Sequence, residues 1–170
     1  SVAVVFCIDF HIIFISTQED IMSTNVPIIP AENSIPVGPL KLAVMESCRD
    51  LGSKVNDYLV DFRKSSTSVH KSTIAFKGYE ESNYLLNCSC PRFGSGEAKG
   101  IINESIRGTD LFIMTDVANY SLTYSLCGMT NHMSPDDHYQ DLKRIISASV
   151  AGAKRVNVIM PFLYESRQHK

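Results

Sequence analysis

The pattern that most narrows the fold lies between residues 111 and 162. Leu111 to Val117 (LFIMTDV) is a nearly continuous apolar run, and Val156 to Phe162 (VNVIMPF) is a second. Runs without polar alternation belong to strands covered on both faces, the situation in a parallel sheet. Between them Ser134-Pro135-Asp136-Asp137 reads as a helix start. Serine caps free N–H groups, proline suits the first helical position, and the two acids meet the positive end of the helix dipole. Tyr139, Leu142, Ile145, Ile146 and Val150 then recur as one apolar stripe, and Gly152 is placed to end the helix. Strand, crossover helix and parallel strand make a right-handed βαβ unit, so the fold class is α/β.

Upstream, Leu40 to Met45 (LKLAVM) is a short strand, and Arg49 to Arg63 places Leu51, Val55, Tyr58, Leu59 and Phe62 at helical spacing. Lys64 to Ser72 is rich in serine and threonine and reads as an exposed loop. Tyr84 to Cys88 and Ala98 to Ile102 are two further strands, separated by Pro91 and glycines, as in a hairpin or bulged ribbon. From Ser23 to Pro39 four prolines and Gly38 forbid a continuous helix or central strand. Residues 1–37 are therefore an N-terminal extension or arm ahead of a domain spanning 38–170. Residues 1–21 precede the first methionine, Met22, and read as an upstream translated extension, with an extra buried strand as the alternative.

With 170 residues, one core is the default, and 44% hydrophobic with 20% charged residues is far from the composition of a disordered chain. A net charge of −2 supplies no general attraction to nucleic acid or an anionic membrane, so neither is an expected partner. The apolar stretch Ser1 to Ser16 carries Asp9 and His11 and is short for a membrane span. Five cysteines lack zinc-site spacing: Cys88-Ser-Cys90 has one intervening residue and no second pair. They read as reduced thiols, which points to the cytoplasm.

In an open parallel sheet, ligands collect beyond the carboxyl ends of the strands, which directs attention to Asp116 and to the residues after Phe162. There the chain reads Tyr164-Glu165-Ser166-Arg167-Gln168-His169-Lys170. Arg167 offers a fork of donors for a phosphate or a purine face and Gln168 can pair with a base edge, while a solvated basic tail explains the same residues. A second cluster is Arg92-Phe93-Gly94-Ser95-Gly96-Glu97, followed by Asn103-Glu104-Ser105-Ile106-Arg107-Gly108. Phe93 can stack on a base, the glycines allow close backbone approach, and Glu97 can accept from a hydroxyl or amino group. A glycine-bearing hairpin accounts for them without a ligand. His132 and His138 flank Asp136 and Asp137, but the helix cap already explains those acids, and no metal site is assigned.

These blocks carry a resemblance. RFGSGE, then INESIRGTDLFIM, then AGAKRVNVIMPFLYESRQHK occur in the order found in the amino-terminal domain of ribose-phosphate pyrophosphokinases, and the similarity runs from about Gly38 to Lys170. The resemblance implies a phosphoribosyltransferase-like three-layer α/β domain with a mostly parallel sheet and an additional β-hairpin. It implies a magnesium-ATP substrate and transfer of diphosphate to carbon 1 of ribose 5-phosphate. By the same resemblance, Phe93, Ser95, Gly96 and Glu97 belong to a loop that contacts ATP, often across a subunit boundary in a homo-oligomer. Arg167 and Gln168 match the pair beside the base. The metal-binding histidine, basic catalytic loop and ribose-phosphate loop of the family lie in its other half, so no catalytic residue is assigned here, and this piece alone is expected to be inactive. Three departures stand out: Ser95 where the family has aspartate, His169 where aspartate commonly follows the pair, and an insertion-like stretch from Asn119 to Asp137. They motivate an alternative, a non-catalytic regulatory or assembly subunit of the same lineage.

Overall fold

The computed structural model describes residues 36–65 and 78–165, with two further strands at 3–7 and 12–15. The strands are β1 (Ala3–Cys7), β2 (Ile12–Ile15), β3 (Leu40–Val44), β4 (Leu85–Leu86), β5 (Cys88–Ser89), β6 (Ile101–Ile102), β7 (Asp110–Met114), β8 (Thr123–Leu126), β9 (Met129–His132) and β10 (Arg155–Met160). Two helices accompany them: α1 (Arg49–Ser65), entered through a 3-10 turn at Glu46–Cys48, and α2 (Pro135–Ser149).

Six strands form the main sheet in the order β2-β1-β10-β7-β3-β4. β10, β7, β3 and β4 run parallel, whereas β1 joins β10 and β2 joins β1 antiparallel. The stretch read as an upstream extension or an extra strand thus holds two strands, on the β10 edge. The proline-bearing residues 23–35 and residues 66–77, which include most of the serine-rich stretch from Lys64 to Ser72, lie outside the described residues; α1 itself continues to Ser65, past the expected loop start at Lys64.

Alternation along the strands divides the core between two faces, because successive side chains point to opposite sides of a sheet. Leu40, Leu42 and Val44 pack with Val60 and Tyr84 under α1. Ala43, Met45, Leu111, Ile113, Val156 and Val158 pack with Leu142 and Ile145 under α2. The result is helix, sheet, helix: three layers. Ile113 and Ile145 are fully buried, each stabilising the fold by roughly 2–3 kcal/mol relative to exposure.

α2 begins as its sequence dictates. Ser134 Oγ accepts from the Asp137 amide while the Asp137 carboxylate accepts from the Ser134 amide, a capping box with Pro135 in the first turn. Val150 is a correction, since it is 57% exposed and lies outside the apolar stripe expected for it. Gly152 follows the helix end without a left-handed conformation. A Cβ there would stand 3.0 Å from Ile106, so its smallness serves packing.

α1 needs a larger correction. The expected stripe of Leu51, Val55, Tyr58, Leu59 and Phe62 holds only in part: Val55 and Leu59 are half-buried against the core, whereas Leu51, Tyr58 and Phe62 are exposed. The helix buries Gly52, Asn56 and Val60, four residues apart, instead. Asn56 is inside because its side-chain carbonyl accepts from the Tyr84 amide at 2.8 Å. A polar residue on the inner face moved the true stripe out of reach of a hydrophobic count.

Candidate functional site

The expected ribbon of Tyr84–Cys88 with Ala98–Ile102 holds only in part: Leu85 and Leu86 leave it to pair with β3 in the main sheet, and the ribbon begins at Cys88. β5 pairs antiparallel with β6, and a further bridge links Arg92 to Ala98, closing the turn that carries Phe93, Ser95, Gly96 and Glu97. Inside the turn the Phe93 amide donates to Glu97 O at 2.7 Å and the Gly96 amide to Phe93 O at 2.9 Å. Gly96 holds a φ of 89°, which a side chain would strain. Phe93 is 53% exposed, and Ser95 and Glu97 are exposed beside it. The structure thus brings four of the six sequence-assigned residues onto one turn, with Phe93, Ser95 and Glu97 exposed on it. Arg167 and Gln168 lie outside the described residues.

Arg92 anchors this turn, a role the residue order did not disclose. Its guanidinium donates to Asp141 Oδ2 at 3.1 Å and to Gly96 O at 3.3 Å, stands 3.7 Å from Asp137, and lies over the Tyr124 ring at 4.8 Å. Asp141 also accepts from Arg144. Desolvation pushes the Asp141 carboxyl upward, against the pull of Arg92 and Arg144. Asp137 ends below the usual carboxylate range: burial raises it, but the Ser134 amide and hydroxyl and the Arg92 charge outweigh burial.

INESIRG has a structural job. Asn103 donates its amide to Asn87 O and its side-chain Nδ2 to Asn87 Oδ1, and Glu104 Oε1 accepts from the Asn87 amide at 3.1 Å. The motif thus clamps the ribbon to the end of β4. Gly108, with φ 74°, then turns the chain into β7.

The insertion-like stretch forms a second hairpin, β8 and β9, turned through Cys127 and Gly128, both at positive φ. His138 Nε2 donates to Asn119 O at 2.6 Å and His132 Nδ1 to Tyr120 O at 2.9 Å, so each histidine has a ring nitrogen committed to the backbone. Among the described residues no group of three or more His, Cys, Asp or Glu side chains is placed to hold a metal ion.

Two clefts flank these elements. One, about 390 Å³, lies between the ribbon, α2 and the β8–β9 hairpin, and is lined by Ser47, Arg49, Cys88, Cys90, Arg92 and Tyr124 among others. The other, about 430 Å³, opens at the carboxyl ends of β3, β7 and β10, with Ser47, Asp116, Asn119 and Pro161 on its walls. Ser47 Oγ accepts from the Asp116 amide at 3.1 Å, and Asn119 Nδ2 donates to Ser47 O at 3.0 Å. The strand-end rule had pointed to Asp116; Ser47 and Asn119 join it through these bonds. Beyond β10, Tyr164 donates to Asp136 at the start of α2, and that bond pushes the phenol up to about 12.

Cys48, Cys88, Cys90 and Cys127 are free thiols. Among the described residues no helix is long and apolar enough to cross a membrane.

A mostly parallel sheet between two helical layers, with a ribbon beside it, defines an α/β domain of the phosphoribosyltransferase-like kind. Residues 40–170 match the family model of the N-terminal domain of ribose phosphate pyrophosphokinase, and the chain belongs to that family. No curated protein and no solved structure matched it.

Proposed function

We propose that residues 38–170 are the nucleotide-binding half of a ribose-phosphate diphosphokinase, which moves the diphosphate of magnesium-ATP to carbon 1 of ribose 5-phosphate and releases AMP. The observation that carries this reading is the turn in which a half-exposed Phe93 ring stands near exposed Glu97 on an anchored ribbon of a chain of this family. In it, Phe93 stacks on adenine, Glu97 accepts from an amino or hydroxyl group, Gly96 admits close backbone approach, and Arg167 and Gln168 flank the base. A turn that exposes Phe93, Ser95 and Glu97 suits contact with a neighbouring copy, hence a homo-oligomer. Magnesium enters with ATP, and ribose 5-phosphate is held by the family's other half. Diphosphate transfer depends on positioning and on cations that neutralise developing charge, so these 170 residues alone bind nucleotide with negligible turnover. The reaction serves nucleotide biosynthesis in the cytoplasm.

One observation favours the second reading, a non-catalytic regulatory or assembly subunit. Ser95 Oγ donates to Glu97 Oε2 at 3.2 Å, so the residue standing in place of an acid both removes a charge and occupies the carboxylate that would meet the ligand.

The test is calorimetric titration of this chain with magnesium-ATP, with its assembly state recorded by sedimentation, for the parent, Phe93→Ala and Arg167→Ala. Binding that weakens about tenfold in either variant, roughly 1.4 kcal/mol, supports the nucleotide site. No binding by a folded, assembled parent rules for the non-catalytic subunit.

A further inference from the structure

The β8–β9 hairpin lies in the insertion-like stretch from Asn119 to Asp137, and it rests against the candidate nucleotide turn at two points. Tyr124 lies face-on to the Arg92 guanidinium, 4.8 Å from ring centre to Cζ. Leu126 lies at Gly96: a Cβ on residue 96 would stand 3.2 Å from Leu126 Cδ1. Tyr124 and Leu126 are two apart on one strand and therefore share a face, the half-buried one, while Thr123 and Ser125 point to solvent. Arg92 leads into the turn and Gly96 lies within it, and the two are joined by the 3.3 Å bond from Arg92 to Gly96 O.

The hairpin is itself fixed at its root. The Met133 amide donates to Leu122 O at 2.8 Å, and the His132 ring stacks on Tyr120 at 4.6 Å. Asn119 is held by both His138 and Ser47. A platform tied to α2 and to the end of β3 thus supports a turn that otherwise rests on a short ribbon.

We propose that the β8–β9 hairpin is the floor of the 93–97 turn, and that Tyr124 and Leu126 are positioning residues that hold Phe93 and Glu97 in their binding arrangement. The nucleotide part of this statement rests on the function proposed above; the floor itself does not. Tyr124 acts by keeping Arg92 stacked within reach of Asp141 and Gly96 O, and Leu126 by filling the space below a residue that has no side chain.

The turn carries its own reporters, the Phe93 and Gly96 amides that bond across it. Amide hydrogen exchange of these two sites is compared in the parent, Tyr124→Ala, Leu126→Ala, the double variant, and Ser125→Ala as the solvent-face control. The expected result is exchange at least tenfold faster at both sites in the double variant, unchanged rates in Ser125→Ala, and parent-like rates in Tyr124→Phe, which keeps the ring face. Core amides of β7 report global folding; if the double variant unfolds, Tyr124→Leu and Leu126→Val decide, with at least threefold faster exchange expected at the turn alone. Unchanged turn amides in folded variants would overturn the proposal. Titration with magnesium-ATP separates the two readings: faster turn exchange with no nucleotide binding by the parent removes the nucleotide function and leaves the floor standing. Binding by the parent that is retained at full strength in the double variant removes the positioning role.

Discussion

Arg155 and Asp110 stand directly opposite in the register of β10 and β7, and the guanidinium donates through Nε and Nη2 to both carboxylate oxygens. Asn157, 3% exposed, donates to the same carboxylate at 2.9 Å and to Leu111 O at 3.2 Å. The arrangement fixes strand register at the start of the parallel ladder, where a slip would strand two polar side chains inside the sheet.

Asp110→Ala should therefore cost more than a surface ion pair. It removes a carboxylate with 10% side-chain exposure, and with it the bonds that Arg155 and Asn157 make to that carboxylate. Because Arg155 is one-third exposed, the loss falls at the lower end for broken buried pairs, about 2–3 kcal/mol, read from urea unfolding. Asp110→Asn keeps one acceptor oxygen and should lose less. A cost for the alanine variant below about 0.5 kcal/mol, the range of an ordinary surface pair, would deny the triad this role.

The capping box of α2 gives a second expectation. Ser134→Ala leaves the Asp137 amide without its partner and should lower stability by about 1 kcal/mol. Asp137 adds a pH dependence whose sign follows from its lowered folded-state value. Its contribution is present above the unfolded-state value and is lost as pH falls through the folded one. Urea midpoints followed from about pH 5 to about pH 2 should decline less steeply in Asp137→Asn than in the parent. Parallel acid limbs in the two proteins would contradict the assignment.

Gly52 opposes two effects of comparable size. Alanine in mid-helix is favoured over glycine by about 1 kcal/mol. Here, however, a Cβ would stand 2.4 and 2.5 Å from the two γ-carbons of Val44, a β-branched side chain on β3 with few rotamers to yield into. Overpacking of that kind costs about 1–3 kcal/mol, so Gly52→Ala should destabilise, and the double variant with Val44→Ala should recover part of the loss. Stabilisation by Gly52→Ala alone would mean that α1 shifts freely on the sheet.

How much of this was legible depended on where polar groups sit. β3, β7, β10 and the start of α2 were readable because continuous apolar runs and a Ser-Pro-Asp-Asp cap act locally. The inner face of α1 was not, because Asn56 is buried through a bond to Tyr84, 28 residues away, which no window of helical spacing contains. The turn at Phe93, Ser95, Gly96 and Glu97 was readable from its glycines and flanking strands. Its anchor was not: Arg92 meets Asp141 and Tyr124, 49 and 32 positions distant, and only the three-layer packing brings them together. The β8–β9 hairpin passed as an insertion since its signal is weak, a Cys-Gly turn between strands of mixed polarity.

The cysteines provide a last expectation, set by environment. Desolvation pushes Cys48 and Cys88 to about 11 and Cys90 to about 12, with Asp116 adding to the first and Asp141 to the third. A rise of two units cuts the thiolate fraction at pH 8 about 100-fold, and the thiolate is the reacting species. Cys127 sits exposed at the tip of the β8–β9 hairpin. With a disulfide-exchange reagent at pH 8 and peptide mapping, Cys127 should therefore be the fast-reacting thiol among the four described cysteines, its label lost in Cys127→Ser, while Cys48, Cys88 and Cys90 react only on a slower timescale or after denaturation. Fast labelling of Cys88 or Cys90, located by peptide mapping, would mean that partial burial in the cleft between the ribbon and α2 does not hold these thiols protonated.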